Sequence, residues 1–139
     1  MIEHRFILED LDGFKIREED KGRDLDKLRN NLDKIIAYSY LDGNKVVGIV
    51  GIVVINENTC EIFLLLDECA ENYKREIYRL SIEFIEKLQE TFVRIQAIVR
   101  TDWEKGIKYL FRLGFEQEGR LRKFTPEDDY YLFARVREW

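Results

Sequence analysis

The chain has 139 residues, 45% hydrophobic and 37% charged, with one proline and a net charge of −5, the balance of a single domain, 1–139, with a real core and not of a fibrous or disordered chain. The acidic charge argues against general nucleic-acid binding, which needs a basic face. No apolar run reaches the roughly 18 residues of a membrane span, and the charges in MIEHRFILED are not those of a signal peptide, so no membrane and a cytoplasmic setting are expected.

Residues 1–16 hold two apolar patches, Phe6-Ile7-Leu8 and Phe14/Ile16, around Asp10-Leu11-Asp12-Gly13, and read as a strand or hairpin. His4, the single histidine, has no Ser or Cys nucleophile in a recognisable setting; it reads as a surface residue, and a Ser-His-Asp mechanism is excluded. Leu25, Leu28, Leu32 and Ile35 or Ile36 recur at helical spacing behind Asp24 as N-cap, which predicts a helix. Ile36–Leu41 alternates and runs into Asp42-Gly43-Asn44, a hairpin turn after which 45–55 pairs back. A second turn at 56–59 leads to Cys60–Leu66, whose nearly unbroken apolar run marks a central strand. Cys60 and Cys69 fit neither a disulfide framework nor a zinc spacing, so both are expected to be reduced structural thiols, with no metal.

Asp67–Asn72 reads as a polar loop and Tyr73–Glu90 as a helix with Ile77, Leu80, Ser81, Phe84 and Leu88 inward. Val93, Ile95, Ala97 and Val99 alternate with polar residues, so 93–100 is a strand and 60–100 a βαβ unit with parallel neighbours. Thr101 followed by Glu104 fits a capping box. Trp103, Ile107, Leu110 and Phe111 then form one apolar stripe, ended by Gly114, the residue a helix stop prefers. A last hairpin joins 115–124 to 130–137 across a turn containing Pro126. The element order predicts an α+β fold, a mixed sheet of about seven strands with helices on both faces.

That order, with Leu113-Gly114-Phe115 running into Glu118-Gly119, resembles the GNAT superfamily of acyl-CoA-dependent N-acyltransferases over residues 36–136. RIQAIVRTD, LFRLGFEQEGRLRKF and DDYYLFARV are similar to the small GNAT-related proteins of tailed bacteriophages. The resemblance implies a splayed pair of parallel central strands, acetyl-CoA as cofactor with its pantetheine in the gap, a pyrophosphate on the next helix N-terminus, a primary amine as acceptor, and a dimer through the final hairpin. Carried over residue by residue, it assigns Leu64, Leu65, Leu66 and Asp67 to the cofactor, Lys74, Arg75 and Arg79 to the pyrophosphate, Glu61 as general base and Tyr109 as general acid.

Three positions depart from the family pattern. Glu68-Cys69-Ala70-Glu71-Asn72-Tyr73-Lys74-Arg75 stands where a glycine-rich pyrophosphate loop is usual, Trp103 where an asparagine is frequent, and Leu110 where a tyrosine is frequent. Trp103 is counted with the cofactor-binding positions. Two readings stay open: an acetyltransferase, or a catalytically degenerate GNAT-fold binding or structural protein of phage origin. Arg120, Arg122, Lys123, Phe124, Tyr130 and Tyr131 form either a partner surface or a hairpin packed by its own aromatics.

Overall fold

The structure is a computed structural model that describes residues 2–17 and 32–138. Its strands are β1 (Ile2–Arg5), β2 (Ile35–Asp42), β3 (Lys45–Asn56), β4 (Thr59–Leu66), β5 (Arg94–Arg100), β6 (Glu116–Leu121) and β7 (Tyr130–Val136). Among the described residues the α-helices are α1 (Lys74–Leu88) and α2 (Glu104–Arg112). The strands form one sheet in the order β1-β2-β3-β4-β5-β7-β6. β1, β2 and β3 are antiparallel, β4 and β5 parallel, and β7 antiparallel to both β5 and β6. The mixed seven-stranded sheet expected from the element order is present, with β4 at its middle. The parallel register of β4 and β5 covers Thr59–Arg94, Cys60–Ile95 and Glu61–Gln96, all at the N-terminal ends of the two strands.

The chain divides into two compact units, Met1–Val54 with Ile62–Glu83, and Ile55–Glu61 with Phe84–Trp139. In the first, β2 turns into β3 with Asp42 opposite Lys45, as the Asp-Gly-Asn signal requires. Successive strand residues face opposite ways, and a bulge in β3 between its pairings with Leu41 and Tyr40 shifts that alternation by one residue, so β3 and β4 feed two clusters. Val46, Ile49 and Leu65 meet Leu11 and Ala37 in one; Val47 and Leu66 meet Ala70 and Ile77 of the α1 side in the other.

In the second unit, Ile95, Ala97 and Val99 are buried while the residues between them are half-exposed. α2 ends in a Schellman motif: Gly114 has φ +89°, its N–H donates to Phe111 O and the Phe115 N–H to Leu110 O, both at 3.0 Å. An L side chain disfavours that φ, which is why the stop is a glycine.

Several local expectations are corrected. The N-terminal strand is β1, and Leu8–Leu11 is a 3-10 turn, not part of a strand. Most of the helix expected after Asp24, with Leu25 and Leu28, lies outside the described residues. Its expected end, Ile35 or Ile36, is the start of β2, where these β-branched residues pair with Val53 and Ile52. The expected polar loop after Asp67 is a 3-10 turn, Glu68–Tyr73, because the Asp67 carboxylate accepts from the Cys69 N–H. Thr101 does not cap α2. The Trp103 N–H donates to Arg100 O at 3.1 Å, closing a turn that moves the N-cap to Trp103, which makes no side-chain cap bond. Phe111 is not in the inner stripe: it is 53% exposed and meets Phe133 edge-on at 5.2 Å. β6 stops at Leu121, where the chain turns and Lys123 takes φ +51°.

Candidate functional site

In the first unit the C-terminal end of β4 carries Leu64, Leu65, Leu66 and Asp67. The Asp67 N–H donates to Val47 O at 2.9 Å, toward β3. The carbonyl across the same peptide bond, Leu66 O, points the opposite way, because amide N–H and C=O are trans. It accepts the Arg17 N–H at 2.9 Å, and the Glu68 N–H donates to Lys15 O at 2.8 Å. Ile16 and Asp67 therefore form an antiparallel bridge. The Asp67 carboxylate, 2% exposed, accepts from the Lys15 N–H at 2.7 Å, the Cys69 N–H at 3.0 Å and Lys45 Nζ at 2.9 Å. Burial pushes its pKa up, but the two N–H donors and the Lys45 ammonium outweigh burial and hold it below the usual carboxylate value.

The cations beyond it are largely engaged nearby. Lys74 pairs with Glu71 at 2.8 Å and Arg79 with Glu83 at 3.4 Å, one turn along the helix surface. Arg75 is exposed, and the Tyr73 hydroxyl donates to Asp42 at 2.5 Å. These residues do not fit the acyl-CoA that the resemblance implies. Two carboxylates, Glu68 and Glu71, occupy the turn where a pyrophosphate would need donors. The outward main-chain groups of Leu66 and Glu68 are taken by Lys15–Arg17.

Glu61, Trp103 and Tyr109 lie in the second unit. Arg94 and Gln96 share a face of β5, two residues apart. Arg94 makes a forked pair with Glu118 at 2.7 and 3.1 Å, and its Nε donates to Gln96 Oε1 at 3.2 Å. A guanidinium only donates, so the Gln96 oxygen must face it and the Gln96 NH2 the other way. That NH2 donates to Glu61 Oε1 at 3.1 Å. Glu118, Arg94, Gln96 and Glu61 form one chain of polar contacts, and the hydrogen bonds from Arg94 hold the Glu118 carboxyl below its ordinary pKa. Tyr109 is half-buried on α2. The Trp103 indole lies against Gly106, where an added Cβ would stand 2.4 Å from Cε3. Trp103 is thus packed on its own helix.

The sequence reading gave His4 no partner. Its Nε2 lies 2.9 and 3.1 Å from the Asp10 carboxylate, which also accepts the Ser39 hydroxyl at 2.7 Å and the Ile7 N–H at 3.0 Å. Burial raises the Asp10 pKa, but Ile7, Ser39 and His4 outweigh it and leave it lowered. The carboxylate stands between serine and histidine, so the imidazole does not act on the Ser39 hydroxyl, and Ser39 is fully buried. The cluster is structural. Cys60 is buried and its thiol is pushed up to about 11 by burial, far from nucleophilic. At the last turn, Arg120, Arg122, Lys123 and Phe124 line an open concavity with Asp129. Asp129 accepts from Arg120 and from the Lys123 N–H at 2.9 Å, and Phe124 lies against Tyr130 at 5.2 Å.

Arg94, Gln96, Glu118, Lys15, Arg17 and Lys45 were given no site role from the sequence. The shared face of Arg94 and Gln96 was legible from their spacing. The other partners meet across long stretches of chain and leave no local signal.

No helix among the described residues is long and apolar enough to cross a membrane. No family model matches the sequence, and no curated protein matches it. Solved structures do match the fold. A Bacillus subtilis acetyltransferase in complex with CoA superposes with a TM-score of 0.76 at 13% identity, over 96% of this chain and 97% of that one. The ribosomal-protein-S18-alanine N-acetyltransferase of Escherichia coli gives 0.76 at 15%, over 97% and 92%. A GNAT-family acetyltransferase from Streptococcus pneumoniae gives 0.61 at 20%, over 79% and 73%. Likeness at these identities speaks for the fold alone, and on that evidence the chain is built on the fold of the GNAT acetyltransferases.

Proposed function

We propose that this protein transfers an acetyl group from acetyl-CoA to a primary amine in the cytoplasm. The reading is carried by the match of nearly the whole chain to solved acetyltransferases, one of them in complex with CoA. Glu61 is the carboxylate for the amine proton: Gln96 engages its Oε1, and Oε2 carries the acceptor role. Tyr109 is the acid for the departing thiolate. This reading gives the cofactor side to Leu64, Leu65, Leu66, Asp67, Lys74, Arg75, Arg79 and Trp103, and it requires the filled Leu66–Glu68 edge and the turn carrying Glu68 and Glu71 to rearrange. The test is release of the CoA thiol in the presence of a panel of primary amines. Glu61→Gln is expected to lower kcat/KM about 100-fold, the lower end of a general base's contribution, and Tyr109→Phe to alter the alkaline limb of the pH profile. Unchanged turnover in either variant removes that residue from its role.

A second reading, a catalytically degenerate GNAT-fold binding or structural protein, is favoured by Glu68 and Glu71 in the turn before α1 and by the filled edge of Leu66 and Glu68. It predicts no thiol release with any amine.

A further inference from the structure

We propose that the half-exposed face of the sheet beside Glu61, in the second unit, binds a small primary monoamine with an apolar body. As an acceptor site it rests on the reading of Glu61 as the base; as a binding site it does not. α2 lies on the other face, where Phe133, paired with Ala97, is buried against Phe111. Alternation turns Gln96, Ile98 and Leu132 away from that helix, and all three are half-exposed. The face is built in rows. Glu61 stands beside Gln96 and Gln96 beside Ala134. One pleat on, Ile98 stands beside Leu132 and Leu132 beside Gly119. A Cβ added to Gly119 would meet nothing within 4 Å, so this apolar row ends in open space.

Charge selects the ligand. Arg94 is taken by its fork to Glu118, and Arg100 by Asp102 at 2.7 Å. Among the described residues no cation pairs with Glu61, whose Oε1 accepts from Gln96, so one negative charge on this face is left uncompensated. A single ammonium matches it. The further ammonium groups of a polyamine would have to take Glu118 or Asp102 from its arginine, a cost that discriminates against them. From the row of Glu61 to the row of Ile98 is about 7 Å, the rise of two strand residues, which a chain of about six carbons covers. A polypeptide N-terminus fits less well. The main-chain bonds of a sheet run between its strands, so the face offers side chains only and would leave peptide amides without partners.

NMR of the Gln96 side-chain amide reads binding without any cofactor. With n-butylammonium and n-hexylammonium at millimolar concentration, the wild-type NH2 signals are expected to shift. The hexyl ion should bind about fourfold tighter, the gain from half-burying two methylenes. Glu61→Gln should bind it about tenfold more weakly, through loss of a charged hydrogen-bond partner. Ile98→Thr keeps a β-branched residue in the strand and should cut the chain-length gain to about twofold or less. Spermidine and alanyl-alanine amide should both bind more weakly than hexylammonium. Equal binding of the butyl and hexyl ions, tighter binding of spermidine or of the dipeptide, or no shift with any amine would overturn the site. Release of the CoA thiol with some other amine would then leave the acetyltransferase reading standing. Conversely, hexylammonium binding with no thiol release from any amine would overturn that reading and leave the amine site. If either variant fails to fold, the wild-type series decides alone.

Discussion

Gly106 and Trp103 set how α2 begins. An added methyl at Gly106 would meet three atoms of the indole at 2.4 to 2.8 Å, closer than any real contact. Gly106→Ala is therefore expected to cost about 1–3 kcal/mol in urea unfolding, the usual range for overpacking. The cost should shrink in a Trp103→Ala background; additive losses would mean the two residues do not touch. Trp103 attracted notice in the sequence as a departure from the family pattern. Its role in the fold is to pack on a glycine three positions along, and that spacing was readable, although the indole's orientation was not. Asp10 and Asp67 were less legible, since their donors come from distant parts of the chain. Both have folded pKa values below the unfolded value of about 3.9. The sign follows: their stabilisation is present above the unfolded value and is lost as pH falls through the lower folded value. Stability measured from pH 5 down to 2 should fall, and Asp67→Asn and Asp10→Asn should each make the fall shallower. An unchanged slope in both variants would contradict the assignment.

The elements that could be read correctly carry their signals locally. The β2–β3 hairpin follows from Asp42-Gly43-Asn44, the stop of α2 from Gly114, and β5 from a strict alternation that the burial of Ile95, Ala97 and Val99 reproduces. Gly114→Ala should cost about 1–2 kcal/mol because an L residue is forced left-handed; a neutral result would mean the chain leaves the helix differently. The start of α2 was misread for a physical reason. Thr101 and Glu104 have capping-box spacing, but the Thr101 N–H is drawn to Asp129 O at 3.1 Å and the next residues form a turn before the helix. Thr101→Val is accordingly expected to change stability by less than about 0.5 kcal/mol, whereas a true cap would cost about 1 kcal/mol. Asp67 shows the opposite case: a side chain assigned to the cofactor organises the 3-10 turn after β4 and anchors Lys15 and Lys45.

Across the whole molecule, the β2–β3 and β6–β7 hairpins and the parallel β4–β5 pair were legible from the order of elements and the rules for βαβ connection, whereas the place of β7 between β5 and β6 was not. Nor were pairings between distant segments. Nothing in Lys15-Ile16-Arg17 announces that it will lie along Leu66–Glu68, and nothing in Gln96 announces Glu61. The fold is shared with acetyltransferases over nearly the full length, while the turn before α1 and the filled edge of β4 set this chain apart from the pattern its fold suggests. Acetyl-CoA binding joins these two facts, and thermal unfolding of the wild type with excess acetyl-CoA measures it most directly. At a concentration ~10 times Kd the gain is about 1.4 kcal/mol, a rise in Tm of roughly 4 degrees for a domain of this size. That rise, absent with adenosine alone, is the predicted result; an unchanged Tm at millimolar acetyl-CoA would contradict the account.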